Sequence, residues 1–264
     1  VVERVDEALD NLTEIESLLQ LDDDYTPATR DYEVPDEFRL TVVVPVYNEE
    51  DTLTAILGRV VAIPLPKQIV IVDDCSTDRS REILEQLRDH PDIDLVFKER
   101  NAGKGAALRT GFEHATGDVV VVQDADMEYD PRDIASLVKP IVAGETDVVY
   151  GSRFLSNAHQ DPSFLHRLIN HILTWSANVL NRTRLTDMET CYKVFRREVI
   201  QSIDLKQDRF GFEPEVTAKL SRRGHKILEL PIHYNARPFS EGKKIGLKDV
   251  FEAFYCIARY GIAD

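Results

Sequence analysis

Cysteine is scarce in this chain of 264 residues, and what there is excludes two function classes. Cys75, Cys191 and Cys256 are odd in number, widely spaced and never set as Cys-x-x-Cys. That pattern makes neither a disulfide framework nor a structural zinc site, and it suits a reducing, cytoplasmic compartment. Long apolar runs are missing too. No stretch reaches the ~18 consecutive apolar residues of a membrane-spanning helix, and acids punctuate the first 25 residues, so neither a span nor a signal peptide is expected. The sequons Asn11-Leu12-Thr13 and Asn181-Arg182-Thr183 then carry no glycosylation reading. Basic charge is in deficit, with 32 Lys and Arg against 47 Asp and Glu and a net charge of -15. The average surface therefore repels nucleic acid and anionic lipid, no nucleic-acid partner is expected, and an anionic ligand needs a local basic cluster. What remains, 43% hydrophobic and 30% charged, fits one catalytic domain with additions.

Val2, Val5, Leu9, Leu12, Ile15 and Leu19 recur at helical steps, which predicts an amphipathic helix ending near Leu21. Its apolar stripe either docks on the main domain or forms a short coiled-coil seam, so a homodimer stays open. The acidic stretch from Asp22 through Pro27 and Pro35 to Glu37 reads as an extended linker. Residues 1–39 are thus an N-terminal helix and linker, and 40–264 the catalytic domain. From Leu40 the pattern alternates. Strands are predicted over 40–46, 68–72, 93–98, 118–123 and 147–151, with helices over 50–61, 79–90, 105–115, 131–143 and 163–181. Such alternation specifies an α/β fold with a mainly parallel sheet flanked by helices.

The strand Val119-Val120-Val121-Val122 runs into Gln123-Asp124-Ala125-Asp126. A pure valine run reads as a strand covered on both faces, and ligands of open α/β sheets collect at strand ends. Asp124 and Asp126 can hold a divalent metal there; the same acids can also cap a helix. Two other strands end in Pro45-Val46-Tyr47-Asn48-Glu49-Glu50 and Val72-Asp73-Asp74-Cys75-Ser76-Thr77-Asp78. This composition suits a nucleoside: Tyr47 offers a ring, and a carboxylate accepts from a base N–H. Arg153 follows Gly151-Ser152 at another strand end, where a guanidinium can clamp phosphate oxygens. The Gly103-Lys104-Gly105 loop is not a P-loop, since Lys98 stands at the first glycine's place and Ala106 where Ser or Thr would be. Leu108 likewise rules out Gly-x-Gly-x-x-Gly, so these glycines predict a tight turn.

Five ordered blocks, namely 44–49, 72–78, 101–105, 124–126 and 151–153, resemble the family 2 glycosyltransferases of GT-A fold. Within them the chain is similar to the polyprenyl-phosphate sugar synthases of the dolichol-phosphate mannose synthase type, from Leu40 to about Tyr260. The resemblance implies a metal-dependent, inverting transfer of a hexose, mannose or glucose, from a GDP- or UDP-linked nucleotide diphosphate sugar to a polyprenyl (dolichyl or undecaprenyl) phosphate. It implies a nucleotide pocket of Pro45, Tyr47, Glu49, Val72 and Asp74, and a site for Mg²⁺ or Mn²⁺ and diphosphate at Asp124, Ala125 and Asp126. Glu128 stands where such synthases commonly carry a Gln that reaches the metal, a departure that adds negative charge. Arg153 joins the catalytic set, and Arg237 and Lys243 match basic positions of a loop that folds over the donor. Arg153 and Arg167 are the implied contacts for the acceptor phosphate; Asp187 and Glu189 lie near the acceptor side or orient Lys193 or Arg196, and Glu213 aligns the lid or acceptor helix or caps a helix.

An acceptor phosphate is anionic already and attacks without a general base, whereas a hydroxyl acceptor requires one. The helix over 163–181 and the last segment, with Val250, Phe251, Phe254, Ile257 and Ala258, carry apolar stripes. These fit either core packing or a peripheral position at the inner face of the cytoplasmic membrane. Because relatives continue into membrane spans here, a truncated membrane protein is an open reading. Two other functions stay open: transfer to a small soluble phosphate or saccharide, and a non-catalytic nucleotide-sugar-binding regulatory module.

Overall fold

Seven strands form one sheet in the computed structural model, which describes residues 18–19, 21, 24–155, 164–236 and 247–262. In chain order the elements are β1 (Leu40–Val46), α1 (Leu53–Val61), β2 (Lys67–Asp73), α2 (Ser80–Glu85), β3 (Ile93–Phe97), α3 (Lys104–His114) and β4 (Val119–Val122). A 3-10 turn (Pro131–Asp133) leads into α4 (Ile134–Val142), β5 (Val148–Ser152), α5 (Phe164–Asn181), β6 (Lys193–Arg196) and α6 (Arg197–Gln201). The chain continues through α7 (Phe212–Arg222), β7 (Ile227–Pro231) and α8 (Leu247–Ile262).

The sheet order is β3-β2-β1-β4-β6-β5-β7, and only β6 runs antiparallel to its neighbours. From β1 the strands β2 and β3 follow to one side, and from β4 the chain builds the other side, with β6 inserted before β5 and β7. A crevice must therefore open beyond the C-terminal ends of β1 and β4, where the crossovers leave on opposite faces. The valine run of β4 is buried throughout, as a strand covered on both faces requires. Sequence periodicity located five of the strands and missed β6 and β7. In β6 two of four residues are basic, and Lys193 is fully buried by bonding rather than by hydrophobicity. The other, β7, is a half-buried edge strand ending in Pro231, a residue confined to such positions.

The predicted linker has neither helix nor strand across residues 25–31, yet it is fastened to the domain. Tyr32 donates its hydroxyl to the Ala135 carbonyl at 2.8 Å, and the Tyr25 ring lies under the guanidinium groups of Arg59 and Arg132, 4.7 and 5.2 Å away. Leu19 joins the core, whereas the predicted N-terminal helix lies almost wholly outside the described residues.

Helices α5 and α8 pack side by side and present apolar side chains outward. Leu165, Leu168, Ile172, Trp175 and Val179 follow helical spacing on α5, and Phe251, Phe254, Tyr255 and Ile262 are exposed on α8. Trp175 is 66% and Phe251 73% exposed. No helix among the described residues is long and apolar enough to cross a membrane.

The approach of α3 to β1 is close enough to require glycine. A Cβ on Gly111 would lie 2.2 Å from Val43 Cγ1 in the middle of the sheet. Alanine would gain ~1 kcal/mol of helix propensity, but overpacking a rigid core costs about 1–3 kcal/mol. Gly111→Ala is therefore expected to lower unfolding free energy by up to about 2 kcal/mol, read by urea denaturation; a stabilised variant would contradict this packing.

Candidate active site

Three strand ends form the crevice, and each turns through a non-glycine residue of positive φ: Asn48 after β1 (57°), Cys75 after β2 (64°) and Met127 after β4 (62°). Backbone in this region is sparsely populated and persists where surrounding bonds fix it. The bonds are present. Thr77 N–H donates to Asn48 Oδ1 at 2.8 Å, and the N–H of Asn48 donates to Ser76 Oγ at 3.1 Å. Thr52 Oγ1 ties the first loop to the third by donating to the Ala125 carbonyl at 2.8 Å.

Pro45, Tyr47, Glu49, Val72 and Asp74 are gathered here. Tyr47 is 46% exposed, so its ring is open to a ligand, while Val72 is buried in the floor. Asp74 is already engaged: it accepts the N–H groups of Ala102 and Gly103 (3.0 and 2.6 Å) and the Lys98 ammonium (2.9 Å). Its work in this structure is to fix the loop that precedes α3. The tight turn expected there is real, for Gly103 has φ 98° and a Cβ on it would meet the Asp208 carbonyl at 2.6 Å.

Asp124 and Asp126 leave β4 on either side of the buried Ala125. The Lys104 ammonium contacts both Asp124 oxygens, at 2.9 Å each, and lies 3.5 Å from Glu213. Burial alone would lower the Lys104 pKa; Asp124 reverses this and, with help from Glu213, drives it well above the usual value. Asp126 accepts the Glu128 N–H at 3.1 Å, and the buried Glu128 takes the Tyr234 hydroxyl at 2.8 Å. Among the described residues no three carboxylate, imidazole or thiol groups are drawn together as metal ligands, so Asp124, Asp126 and Glu128 do not form a ready-made trio. The donor set nevertheless fits a hard divalent ion: half-buried carboxylates at a crevice, one of them holding an ammonium as a stand-in cation.

Arg153 stands across the crevice, locked to Asp187 by Nε and a terminal nitrogen at 2.7 and 2.8 Å. The guanidinium also covers the Tyr234 ring at 5.2 Å. Although Asp187 is buried, the Arg153 charge and bonds hold its carboxyl below the usual range. Behind them, Glu229 on β7 accepts the N–H groups of Thr186 and Asp187 at 2.7 and 3.0 Å. Asn170 on α5 donates to Asp187 at 3.2 Å, which brings the helix bearing Arg167 to this side of the site. Arg237 and Lys243 lie outside the described residues.

Because β6 runs antiparallel, the segment before it, 187–192, reaches the same end of the sheet. Lys193 donates to the Met188 carbonyl at 2.9 Å and to that of Thr190, and lies 4.5 Å from the Tyr150 ring centre. Glu189 keeps part of its surface open, but its Oε1 and the Oε2 of Glu213 are buried without hydrogen-bond partners among the described residues. Burial, reinforced by the Glu213 charge, pushes the Glu189 pKa up to about 8.

Lys104, Glu229 and Tyr234 escaped the sequence reading. For Lys104 the signal was present, a lysine opening a helix straight after Asn-Ala-Gly; Glu229 and Tyr234 lie in and beside an edge strand that periodicity did not reveal.

A pH dependence follows from Glu189. Its folded pKa of about 8 exceeds the ordinary 4.5, so the folded state holds a proton that the unfolded chain loses between those values. Stability is thus unaffected below pH 4.5 and declines as pH rises toward 8. Glu189→Gln is expected to raise Tm relative to the unaltered protein at pH 8, with the gap closing near pH 4; a gap constant across the titration would contradict the assignment.

Comparison with known proteins agrees with this architecture. The family model for glycosyl transferase family 2 matches residues 41–204. An undecaprenyl-phosphate 4-deoxy-4-formamido-L-arabinose transferase of Edwardsiella ictaluri is 33% identical over 82% of this chain and 66% of its own length. The corresponding protein of Pectobacterium carotovorum is 30% identical over 81% of this chain, which spans 65% of that relative, just under two thirds. A dolichol-phosphate mannosyltransferase of Pyrococcus furiosus is 28% identical over 81% of this chain and 61% of its own. In structure, glucosyl-3-phosphoglycerate synthase from Mycobacterium tuberculosis, crystallised with Mn²⁺, UDP-glucose and phosphoglyceric acid, superposes with a TM-score of 0.63 at 20% identity, covering 86% of this chain and 81% of that one. Sheet order, crevice and family match converge: the chain belongs to glycosyl transferase family 2 and has the GT-A fold.

Proposed function

We propose that residues 40–264 form a catalytic unit that transfers a hexose from a nucleotide diphosphate sugar to a polyprenyl phosphate, with residues 1–39 as an appendage. The observation that carries this reading is the pairing of two unlike features. A carboxylate-lined crevice with an open tyrosine ring adjoins two helices that turn apolar side chains outward. The first suits a nucleotide sugar and the second a lipid. Support also comes from the relatives, whose names differ in the sugar but agree on a polyprenyl-phosphate acceptor. A soluble phosphate acceptor, as in the structural neighbour, leaves the apolar face unexplained.

The base would rest against Tyr47, with Pro45, Glu49, Val72 and the Asp74-fixed loop around it. Asp124 and Asp126 would hold Mg²⁺ or Mn²⁺, with Glu128 behind them; when bound, the ion neutralises the departing diphosphate. The acceptor phosphate oxygen attacks the anomeric carbon as the bond to the donor phosphate breaks, so nucleoside diphosphate leaves and the configuration inverts. No proton need be removed from the acceptor, and the site's task is alignment and charge neutralisation. Asp187 fixes the orientation of the planar Arg153 guanidinium and leaves its remaining N–H groups for an anion. Arg167, Arg237 and Lys243 would add positive charge for the two phosphates. The apolar face of α5 and α8 would rest on the inner leaflet of the cytoplasmic membrane as a peripheral contact, and the apolar stripe in the sequence from Val2 to Leu19 would serve a homodimer.

Asp126→Ala is expected to reduce hexose transfer to a short polyprenyl phosphate by ~10²-fold or more, with Tm within a few degrees of the parent, when assayed with GDP- and UDP-sugars and Mn²⁺. Unchanged transfer would remove Asp126 from the metal and diphosphate site, and no transfer by the unaltered chain would leave only a binding module. Cosedimentation with vesicles containing polyprenyl phosphate is expected for the unaltered chain and should be lost in a Trp175→Glu, Phe251→Glu variant; equal pelleting of both would remove the membrane reading.

A further inference from the structure

Lys104 occupies an unusual place for a lysine. It opens α3, its side chain is only 20% exposed, and its ammonium spans two carboxylates, bound to both oxygens of Asp124 and 3.5 Å from Glu213 Oε1. Its backbone cannot retreat. Gly103 N–H is held by Asp74 at 2.6 Å, and a Cβ on Gly105 would meet the Gln207 carbonyl at 2.3 Å, so the chain around Lys104 is pinned from two sides. Any movement belongs to the four-carbon side chain, which rotates freely about its single bonds.

Glu213 supplies the second half of the arrangement. It lies in the first turn of α7 at 5% exposure, and its Oε2 is buried with no hydrogen-bond partner among the described residues. A buried carboxylate oxygen left unbonded is costly, and a cation a short swing away relieves that cost. The same ammonium cannot serve both acids fully. At 2.9 Å it is engaged with Asp124; at 3.5 Å it only faces Glu213.

We propose that Lys104 is a positioning residue that holds the metal-binding carboxylate Asp124 in the free protein and passes to Glu213 when a divalent ion takes its place. This rests on the reading of Asp124 as a metal ligand. An ammonium and a divalent cation repel each other strongly when both contact one carboxylate in a half-buried site. Glu213 removes the conflict by offering a nearby anion with an unused oxygen. In consequence Asp124 stays neutralised and oriented while the site is free, and metal binding is weakened until Lys104 has moved. The displaced ammonium keeps a counter-charge, so the crevice never holds an unpaired buried lysine.

Mn²⁺ affinity measured without any donor, by electron paramagnetic resonance of the free ion, tests this independently of turnover. Lys104→Met is expected to bind Mn²⁺ roughly 10-fold more tightly than the parent, a change of about 1.4 kcal/mol. Glu213→Gln should bind several-fold more weakly. In the double variant the Glu213→Gln effect should shrink to less than about 2-fold, because its action runs through Lys104. Unchanged or weaker binding by Lys104→Met overturns the proposal, and so does a Glu213→Gln effect of equal size with and without Lys104, which would be a plain field effect. If Glu213→Gln lowers Tm too far to assay, Glu213→Asp takes its place in the cycle. Asp124→Asn separates the two layers: tight Mn²⁺ binding that survives this change defeats the metal reading of Asp124 itself, whereas binding lost there but indifferent to Lys104 defeats only the exchange.

Discussion

Everything at the site depends on the reversal of strand order between β1 and β4. Two valine-rich strands lie side by side in parallel, buried on both faces, and their continuations must part to opposite faces of the sheet. The gap this leaves is a topological necessity of the sheet rather than a product of any one side chain. Only there can polar groups gather at the end of so apolar a core. Asn48, Cys75 and Met127 accept an uncommon backbone conformation at its rim because mutually bonded loops impose it.

Charge is the second constraint. The crevice gathers many acids in a chain that is already acidic, and nearly every one described there is matched by a specific donor: Asp124 by Lys104, Asp74 by two amides and Lys98, Asp187 by Arg153, Glu128 by Tyr234. Burying a carboxylate without such a partner would cost several kcal/mol, so the pairs are a condition of folding. Glu189 is the telling exception. Its Oε1 has no hydrogen-bond partner among the described residues, and burial raises its pKa.

Much of this could be read from residue order, and the limits have physical causes. Valine runs and helical spacing located β1 to β5 and the helices between them because burial on two faces leaves a periodic trace. The strand-end motifs brought Pro45, Tyr47, Asp74, Asp124 and Arg153 to one place in advance. Partnerships across the fold left no such trace. That Asp74 fixes a loop, that Arg153 leans on Asp187, or that Glu128 faces Tyr234 across 106 residues depends on sheet order, and the order turned on the antiparallel insertion of β6. A buried lysine in a four-residue strand looks like surface until its carbonyl partners are seen.

The contributions of Glu229 and Tyr234 carry a consequence for how the chain matures. Strands β1 to β4, with all the motif acids through Asp126, emerge first during synthesis, and they can pair among themselves. The clamp on Asp187, and with it the setting of Arg153, waits for a strand made about forty residues later, and Glu128 waits for the tyrosine just beyond it. A growing chain can thus pair the strands that carry Asp74, Asp124 and Asp126 while the surroundings of Arg153 are still unformed. The setting of Arg153 is complete only with β7 paired along the edge of β5, where Glu229 holds the Asp187 segment.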